Sequence, residues 1–391
     1  LLVAGSMLGL ILNKIQNTMK IGILTQPLHT NYGGILQAYA LQTVLERMGH
    51  EVQVLDREQK MHVNKYRFPL SVAKRVVKKY ILGRKIRIFQ EHYFNRTYPI
   101  ISQYTQPFID KYIHYRNVDD LSTLRPNEYE ALVVGSDQIW RPSYYSKIEN
   151  AFFAFAKDWT HVKRIAYAPS FGTNKWEFND LQTQECKELI KMFDLVTVRE
   201  DDGVGLCHSY LGVKATHVLD PTMLLDAADY EALVRQAGKV EAHPHILLSY
   251  VLDSSEHASS VIRQLAEARG LTPFYVSSKV EDVFAPLSDR IQKPVEEWLN
   301  GFMQADIVIT DSFHACVFSI LFNKPFVVLG NKKRGMSRFT SLLKLFGLED
   351  RLVSSMDEIA QLGEIDWAQV NAKRQALKKK CLQMLEEGLR K

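Results

Sequence analysis

Short apolar runs and longer runs with helical spacing alternate along the chain. Met19–Leu24 is mainly apolar and alternates too little for a half-exposed strand, which predicts a buried parallel strand. Apolar residues then recur at helical spacing from Ile35 to Met48, and Gly49 ends the predicted helix. Glu51–Leu55 follows as a second strand. Because parallel strands need a crossover, these elements predict one βαβ unit.

Further apolar runs extend the same predicted sheet after an interruption at 60–125. They are ALVVG at 131–135, RIAYA at 164–168, LVTVR at 195–199 and ATHVLD at 215–220. The Asp220-Pro221 pair is then expected to end this lobe.

Strand-like and helix-like runs alternate again from Ile246 onwards. The predicted strands cover 246–252, 273–278, 306–310 and 325–330, and the predicted helices cover 254–269, 294–303, 313–322 and 337–347. Successive β/α units of this kind predict a second doubly wound sheet. A final amphipathic stretch at 366–390 is expected to cross back and brace the first lobe.

The chain of 391 residues is longer than a single core usually supports, so the two series of units predict two lobes. The predicted fold class is α/β, with two Rossmann-like doubly wound lobes and ligands bound between the carboxyl ends of their strands. The expected division is an upstream segment at 1–18 before a natural start at Met19, an N-terminal lobe at 19–225 with a basic helical insertion at about 60–125, a C-terminal lobe at 226–354, and a C-terminal helical segment at 355–391.

Composition narrows the class of protein. With 46% hydrophobic and 24% charged residues, the chain is typical of a soluble globular protein. Cys186, Cys207, Cys316 and Cys381 lie far apart without a CxxC pair, which predicts reduced thiols in a cytosolic protein. The run LLVAGSMLGLIL ends at Asn13 and is shorter than the ~20 residues of a spanning helix.

The net charge of +5 hides a regional asymmetry. Between Lys60 and Arg116, thirteen Lys and Arg residues stand against Glu91 and Asp110, a local charge of +11. Such a basic segment with interleaved aromatic residues suits nucleic acid, an anionic membrane face or an anionic glycan intermediate, and a solvated helical insertion has the same composition. Since no nucleic-acid motif accompanies the charge, a membrane or glycan partner is favoured and no nucleic-acid partner is expected.

The turn after the first strand, TQPLHTNYGG at 25–34, places two glycines before a helix. Gly33 and Gly34 let an anion approach free backbone N–H groups, although the GxGxxG fingerprint of dinucleotide folds is missing. Asn31 is able to donate its amide to a phosphate or a sugar hydroxyl, and its alternative role is a turn cap. Asp56 after the second strand is a candidate for holding a ribose.

The turn after the third predicted strand, VVGSDQIW at 133–140, is small and polar. Ser136, Asp137 and Gln138 leave room there for a substrate; alternatively, Ser136 and Asp137 cap a following helix. Trp140 offers a flat face of the kind that stacks on a sugar ring, and packing in the core is the alternative.

Arg199 ends the strand LVTVR before a burst of charge. At the carboxyl end of a parallel strand, its guanidinium suits a carboxylate or phosphate. An ion pair with Glu200, Asp201 or Asp202 is the competing interpretation.

The stretch ADIVITDSFHACVFSILFNKPFVVLGN at 305–331 places His314 in the first turn of a helix that Asp311 or Ser312 is expected to cap. A buried core histidine is the ordinary alternative, but a first-turn position after a strand favours an acid or base. An anion bound at this helix terminus would favour the imidazolium form. Lys332 and Arg338 follow the next strand as candidate cations for the cleft.

Six segments, in this order, resemble the polysaccharide pyruvyl transferase family. They are KIGILTQPLHTNYGGILQAYALQ, VVGSDQIW, RIAYAPSFG, VTVREDDG, VLDPTMLL and DSFHACVFSILFNKPFVVL. The resemblance implies a fold similar to the GT-B glycosyltransferases. It also implies phosphoenolpyruvate as donor substrate, no cofactor or metal, and a pair of sugar hydroxyls as acceptor. The product would be a pyruvate ketal on a cell-surface polysaccharide or its lipid-linked precursor, with release of phosphate.

By this resemblance, His314 matches the catalytic histidine of the family and Arg199 matches the arginine that holds the donor. The Gly33–Gly34 turn and the helix beginning at Ser312 would neutralise the donor's carboxylate and phosphate. Many members have a basic residue and a leucine before the histidine, whereas Ser312 and Phe313 occupy those places in this chain. Either the donor is bound differently here, or another cation such as Lys332 or Arg338 replaces the missing one.

Two alternatives remain open: a GT-B nucleotide-sugar glycosyltransferase and a non-enzymatic glycan-binding protein. The expected location is cytoplasmic and peripheral to the inner membrane face, through contacts of 60–116. The sequence indicates no oligomeric state.

Overall fold

The computed structural model describes residues 18–57, 61, 66, 68–238, 241–253, 255–330 and 336–390. The predicted upstream segment, apart from Thr18, and the candidate cation Lys332 lie outside these residues.

The first lobe is built on a parallel sheet. Its strands are β1 (Lys20–Leu24), β2 (Glu51–Asp56), β3 (Tyr115–Asn117), β4 (Ala131–Val134), β5 (Lys163–Ala166), β6 (Leu195–Val198) and β7 (Thr216–His217). Their order is β3-β2-β1-β4-β5-β6-β7, so the direction of winding reverses between β1 and β4. The loops after these two strands therefore border a crevice at the carboxyl edge. The run at 215–220 forms only a two-residue strand, and the basic insertion contributes the edge strand β3.

The second lobe repeats this arrangement with a smaller parallel sheet. Its strands are β8 (Ile246–Tyr250), β9 (Thr272–Tyr275), β10 (Ala305–Thr310), β11 (Phe326–Leu329) and β12 (Leu352–Val353). Their order is β12-β11-β10-β8-β9, which reverses between β8 and β10. Two doubly wound parallel sheets confirm the predicted GT-B-like fold class.

Helices connect the strands of both sheets. They are α1 (Tyr32–Arg47), α2 (Phe68–Tyr80), α3 (Gln90–Ile101), α4 (Gln106–Tyr112), α5 (Asp180–Ile190), α6 (Asp201–Leu206), α7 (Ala227–Gln236), α8 (Glu256–Arg269), α9 (Leu287–Arg290), α10 (Val295–Gln304), α11 (Phe313–Leu321), α12 (Ser337–Phe346), α13 (Met356–Ala360) and α14 (Trp367–Arg390). Of these, α1, α8, α10, α11, α12 and α14 lie close to predicted helices. Gly270 and Gly347 end α8 and α12 in the left-handed conformation, at φ 63° and 71°. In the described ranges, no helix combines the length and apolar character needed to cross a bilayer.

The loop between β1 and α1 docks onto the second lobe. Tyr32 is fully buried and stacks on Trp298 of α10, with ring centroids 5.3 Å apart. The Tyr32 hydroxyl donates to the Lys293 carbonyl oxygen at 2.9 Å, and Gln292 Nε2 donates to the Thr30 carbonyl oxygen at 2.8 Å. Apolar side chains of both lobes consequently belong to one continuous hydrophobic cluster.

The C-terminal helix α14 returns to the first lobe, which confirms the predicted bracing. At Gly388 the backbone lies so close to the first sheet that an added Cβ would be 3.0 Å from the Leu195 side chain. Arg374 is buried and donates to the Leu225 carbonyl oxygen at 3.2 Å and to Asp226 at 3.1 Å. Lys378 donates to the same carboxylate at 2.7 Å. Although desolvation alone would raise it, these donors lower the pKa of Asp226 to about 2.

We expect Arg374→Met to lower the free energy of unfolding by about 2 kcal/mol, because the Asp226 carboxylate and the Leu225 carbonyl oxygen lose a charged donor. Lys373→Met, at an exposed position of the same helix, is the control and should change it by less than about 0.5 kcal/mol. Denaturant unfolding at pH 7 measures both, and equal stability of the two variants would contradict the bracing role. The contribution of the Asp226 contacts to stability is complete above pH 3.8 and is lost as pH falls towards 2. The difference in unfolding free energy between Arg374→Met and Lys373→Met should therefore become smaller in acid.

Candidate functional site

A cleft of about 560 Å³ lies between the carboxyl edges of the two sheets. Its described lining residues are Gln26, His29, Asn31, Asp137, Gln138, Tyr144, Asp253 and Glu281. Three of the predicted site residues, Asn31, Asp137 and Gln138, thus line the cleft. The last two lining residues belong to the second lobe, so both lobes contribute carboxylates to the cleft wall.

The turn after β4 is fixed by close backbone packing. Gly135 has φ 140°, and an added Cβ would lie 1.9 Å from the Tyr167 carbonyl oxygen, so only glycine fits. The Ser136 N–H donates to Gln37 Oε1 at 2.7 Å, which ties the turn to α1. In the described residues 135–147 no helix begins, so the interpretation of Ser136 and Asp137 as helix caps is wrong.

Ser136 holds neighbouring groups in place and does not line the cleft. Its side chain is fully buried, and its Oγ donates to the Ala168 carbonyl oxygen at 2.7 Å. The same Oγ accepts from Arg199 Nη2 at 2.5 Å and Nε at 3.2 Å. Ser136 therefore orients the guanidinium of Arg199.

A buried ion pair lies behind the cleft wall. Arg199 Nε is 3.1 Å from Asp220 Oδ2, and the two side chains are 1% and 0% exposed. Arg199 Nη1 is also 3.7 Å from Asp137 Oδ1, which reaches the cleft. Burial alone would raise the pKa of Asp220, but the charge of Arg199, and then that of His314, hold it well below its usual range.

The three acidic residues after Arg199 have other partners, so the competing interpretation of Arg199 is wrong. Glu200 is buried and accepts from the Ser170 hydroxyl, and desolvation raises the pKa of Glu200. Asp201 and Asp202 accept from the hydroxyls of Ser341 and Ser337, respectively, on α12. These two carboxylates therefore connect the first lobe to the second.

His314 lies in the first turn of α11, as predicted, and its ring reaches the first lobe. An added Cβ at Gly33 would lie 2.0 Å from His314 Nδ1, so the imidazole fills the space that the missing side chain leaves. His314 Nε2 is 3.7 Å from Asp220 Oδ2, beyond hydrogen-bond distance. The side chain is 7% exposed and is not among the groups that line the open cleft.

Gly34 has a different environment from Gly33. Its N–H donates to Asn31 Oδ1 at 3.3 Å, so Asn31 caps α1 while it lines the cleft. An added Cβ at Gly34 would make only ordinary contacts, the nearest at 3.7 Å.

Neither predicted cap of α11 acts through its side chain. Ser312 occupies the cap position without a side-chain capping bond, and its N–H donates to Thr310 Oγ1 at 2.9 Å. The Asp311 carboxylate accepts from the N–H groups of Leu252 and Asp253 at 2.6 and 3.0 Å. Asp311 therefore joins the loop after β8 to the end of β10, at the reversal point of the second sheet.

Arg338 on α12 is the candidate replacement cation that the structure describes. Its guanidinium carbon is 6.0 Å from the Phe313 ring centroid, and that of Arg199 is 5.0 Å from the same ring. Burial lowers the pKa of Arg338, and the nearby Asp137 carboxylate opposes that shift. Two guanidinium groups therefore flank the residue that precedes His314.

Asp56 and Trp140 do not lie where a substrate would contact them. Asp56 accepts from the Leu28 N–H at 2.8 Å, is almost fully buried, and is directed to the loop rather than to the cleft. Desolvation raises the pKa of Asp56 to about 6. Trp140 is fully buried and stacks on Phe152 at 4.7 Å, which confirms the core alternative.

Sequence reasoning missed three polar residues of this site. The first of them is Asp220, and a polar residue at the end of an apolar strand-like run is the signal that could have found it. Gln37 is fully buried, and its Nε2 donates to Thr25 Oγ1 and to the Gly34 carbonyl oxygen, both at 2.8 Å. A polar residue on the apolar face of a helix was the signal for Gln37.

The third missed residue, His29, lines the cleft as a neutral hydrogen-bond donor. Its Nδ1 accepts from the N–H groups of Thr30 and Asn31 at 2.7 and 3.2 Å, which assigns the proton to Nε2. Desolvation lowers the pKa of His29, although Asp137 and Glu281 oppose that shift.

Comparison with known proteins identifies the family. A sequence profile described as "Polysaccharide pyruvyl transferase" matches residues 31–333. The chain belongs to the polysaccharide pyruvyl transferase family. The matched range includes the β4 turn, Arg199 and His314. None of the curated proteins matches the chain by sequence.

Solved structures similar to this pyruvyl transferase family member are distant. UDP-GlcNAc 2-epimerase from Neisseria meningitidis is 12% identical with a TM-score of 0.44, covering 93% of this chain and 94% of its own. MnaA of S. aureus is 13% identical with a TM-score of 0.44, and the match covers 95% of this chain and 91% of the MnaA chain. A glycosyltransferase from Rickettsia africae is 12% identical with a TM-score of 0.40, and the match covers 96% of each chain. These likenesses carry no argument about the substrate.

The site of this pyruvyl transferase family member has two layers. The outer layer is the cleft wall, whose carboxylates and amides suit hydroxyl groups. The inner layer holds Arg199, Arg338 and His314, which suit an anion and a proton transfer. Asp137 belongs to both layers, because it lines the cleft and lies 3.7 Å from Arg199.

Gly33→Ala should displace the His314 ring and lower the free energy of unfolding by about 1–3 kcal/mol, the usual cost of overpacking. Gly34→Ala is the matched control, since its Cβ has room and alanine favours a helix by up to ~1 kcal/mol over glycine. Denaturant unfolding and the NMR signals of the imidazole measure both effects. Unchanged stability and unchanged imidazole signals in Gly33→Ala would contradict the contact.

Proposed function

We propose that this family member transfers the pyruvyl group of phosphoenolpyruvate to two hydroxyls of one sugar in a glycan. The product is a cyclic pyruvate ketal, and phosphate is released. The supporting observation is a histidine in the first turn of a helix, next to two buried arginines, behind a cleft wall suited to sugar hydroxyls. The family match supports a transferase that acts on a polysaccharide.

The donor is proposed to bind in the inner layer. Its carboxylate and phosphate would pair with Arg199 and Arg338, whose guanidinium carbons lie within 5.0 and 6.0 Å of the Phe313 ring. In that position the donor displaces the Asp137 carboxylate from Arg199. The Asp220 carboxylate keeps the opposite side of Arg199 in place and lies 3.7 Å from the imidazole of His314.

Chemistry begins with proton transfer from His314 to the methylene carbon of phosphoenolpyruvate. One sugar hydroxyl then attacks the resulting cationic carbon and gives its proton to Asp137. The carbon–oxygen bond to phosphate breaks, and the second hydroxyl attacks the same carbon and closes the ketal. Of the two hydroxyl protons, one replaces the proton that His314 gave to the new methyl group, and one leaves with phosphate.

The acceptor is proposed to occupy the open cleft. Asp137, Asp253 and Glu281 accept hydrogen bonds from hydroxyls, and the neutral His29 donates one. The carboxylates of the cleft wall repel anions, so the outer layer favours a neutral sugar over the anionic donor.

We place the reaction in the cytoplasm, on a polysaccharide or its lipid-linked precursor. The four cysteines lie within the described residues and are buried thiols, consistent with a reducing compartment. The proposed steps draw their proton and positive charges from the chain itself and call for no cofactor or metal.

The central test measures phosphate release from phosphoenolpyruvate with a panel of galactosides and mannosides. His314→Gln should lower turnover by about 10²–10⁴-fold, the usual contribution of a general acid, while phosphoenolpyruvate still raises the melting temperature. His208→Gln, at an exposed position, is the control and should keep full turnover. Stabilisation by UDP-sugars without a response to phosphoenolpyruvate would contradict the proposal and favour a nucleotide-sugar glycosyltransferase. Glycan binding without phosphate release would favour a binding protein.

Asp137→Asn separates the two roles of this carboxylate. Removing its charge should strengthen phosphoenolpyruvate binding, because no anion then competes for Arg199, and should lower kcat about tenfold or more through loss of the base. Asp253→Asn, which lines the cleft from the second lobe, should leave phosphoenolpyruvate binding unchanged. Calorimetry and steady-state kinetics measure these effects. Weaker donor binding in Asp137→Asn would contradict the displacement step.

A further inference from the structure

The helix α2 in the basic insertion leaves one side uncovered. None of its residues is buried, although apolar residues recur along it. Leu70, Val77, Tyr80 and the following Ile81 are 64%, 45%, 71% and 74% exposed. Their spacing puts them along one side of the helix, where they form an apolar stripe.

The opposite side of α2 is held by α3, so the stripe has a fixed outward direction. Arg75 forms an ion pair with Glu91, and the two side chains are only 15% and 13% exposed. The Phe68 ring packs edge-on against His92, with ring centroids 5.8 Å apart. Rotation of α2 to bury the stripe would break both contacts.

Positive charge surrounds the stripe. No Asp or Glu occurs between Phe68 and Phe89. The exposed basic residues are Lys74, Lys78, Lys79, Arg84 and Lys85. In the described part of the chain, none of them forms an ion pair with a carboxylate.

We propose that α2 lies in the surface of an anionic bilayer, with Leu70, Val77 and Ile81 inserted among the lipids. A helix whose outward apolar stripe is flanked by Lys binds at such an interface. The long stems of Lys74 and Lys78 reach from the stripe to lipid phosphates. Nucleic acid would use the charges but leave the aliphatic side chains exposed, so a bilayer accounts for more of the surface.

The insertion also lies at the rim of the cleft. Arg87 Nη2 donates to the Val283 carbonyl oxygen at 2.7 Å, and Lys85 lies 4.8 Å from the Phe284 ring centroid. Glu281, two residues before Val283, lines the cleft. A bilayer bound by α2 would therefore border the cleft entrance, where a lipid-linked acceptor would arrive; this last step rests on the proposed function, whereas bilayer binding does not.

The test is co-sedimentation of the full chain with vesicles of phosphatidylcholine containing about one third phosphatidylglycerol. The wild type should bind these vesicles at low salt and not bind pure phosphatidylcholine. Leu70→Gln/Val77→Gln/Ile81→Gln should weaken binding at least tenfold. Lys74→Gln/Lys78→Gln/Lys79→Gln should weaken it about a hundredfold, from roughly 1 kcal/mol per charge.

Matched controls carry the same changes elsewhere on the surface. Leu181→Gln removes a leucine that is 78% exposed on α5, and Lys373→Gln/Lys379→Gln/Lys380→Gln removes three exposed lysines of α14. Both controls should bind vesicles like the wild type. Circular dichroism and phosphate release with a water-soluble acceptor show that each variant is folded, and they separate this proposal from the proposed function.

Three results would overturn the proposal. They are absence of binding to the anionic vesicles, equal binding by the glutamine variants of α2, and lysine-dependent binding of an oligonucleotide without binding of vesicles. If the wild type binds the vesicles but releases no phosphate from phosphoenolpyruvate, only the proposed function is overturned.

Discussion

One buried carboxylate, Asp220, balances the charges at the junction of the two lobes. A carboxylate removed from water is costly unless it is paired and hydrogen-bonded. Asp220 has Arg199 at 3.1 Å on one oxygen and the N–H and hydroxyl of Thr222 at 2.9 and 2.6 Å on the other. His314 approaches the Arg199 side from the second lobe at 3.7 Å. Asp220 therefore lies between the end of β6 and the first turn of α11 and faces a cationic or polar group on each side.

This arrangement separates buried cationic side chains from the polar groups of the open cleft. Positive groups are buried behind the cleft wall, whereas the wall itself presents carboxylates and amides. Under the proposed function, the anionic donor would pair with guanidinium groups in the low dielectric of the inner layer, and the neutral sugar would bind in the wetter outer layer. Asp137 lies at the boundary, so its carboxylate is the group that occupation of the inner layer would displace.

The hydrophobic pattern predicted the long elements of both sheets, because buried parallel strands and amphipathic helices repeat over many residues. It gave no prediction for the helices α5 and α7, and it missed β3 and β12, which have three and two residues, too few for a period. At the site, the pattern located Arg199 at the end of a predicted strand and His314 in the first turn of the helix that follows another. It could not assign their partners, because Asp220 and Ser136 approach Arg199 from distant segments. The cap interpretation of Ser136 failed because the chain turns at Gly135 instead of entering a helix.

The contact between Gly33 and the imidazole of His314 restricts which substitutions the two positions tolerate. Each position restricts the other: a side chain at 33 has no space while a histidine stands at 314, and a smaller residue at 314 would leave a void beside the glycine. A larger residue at 33 would therefore fit only together with a smaller one at 314, although the two positions belong to different lobes and lie far apart in the gene.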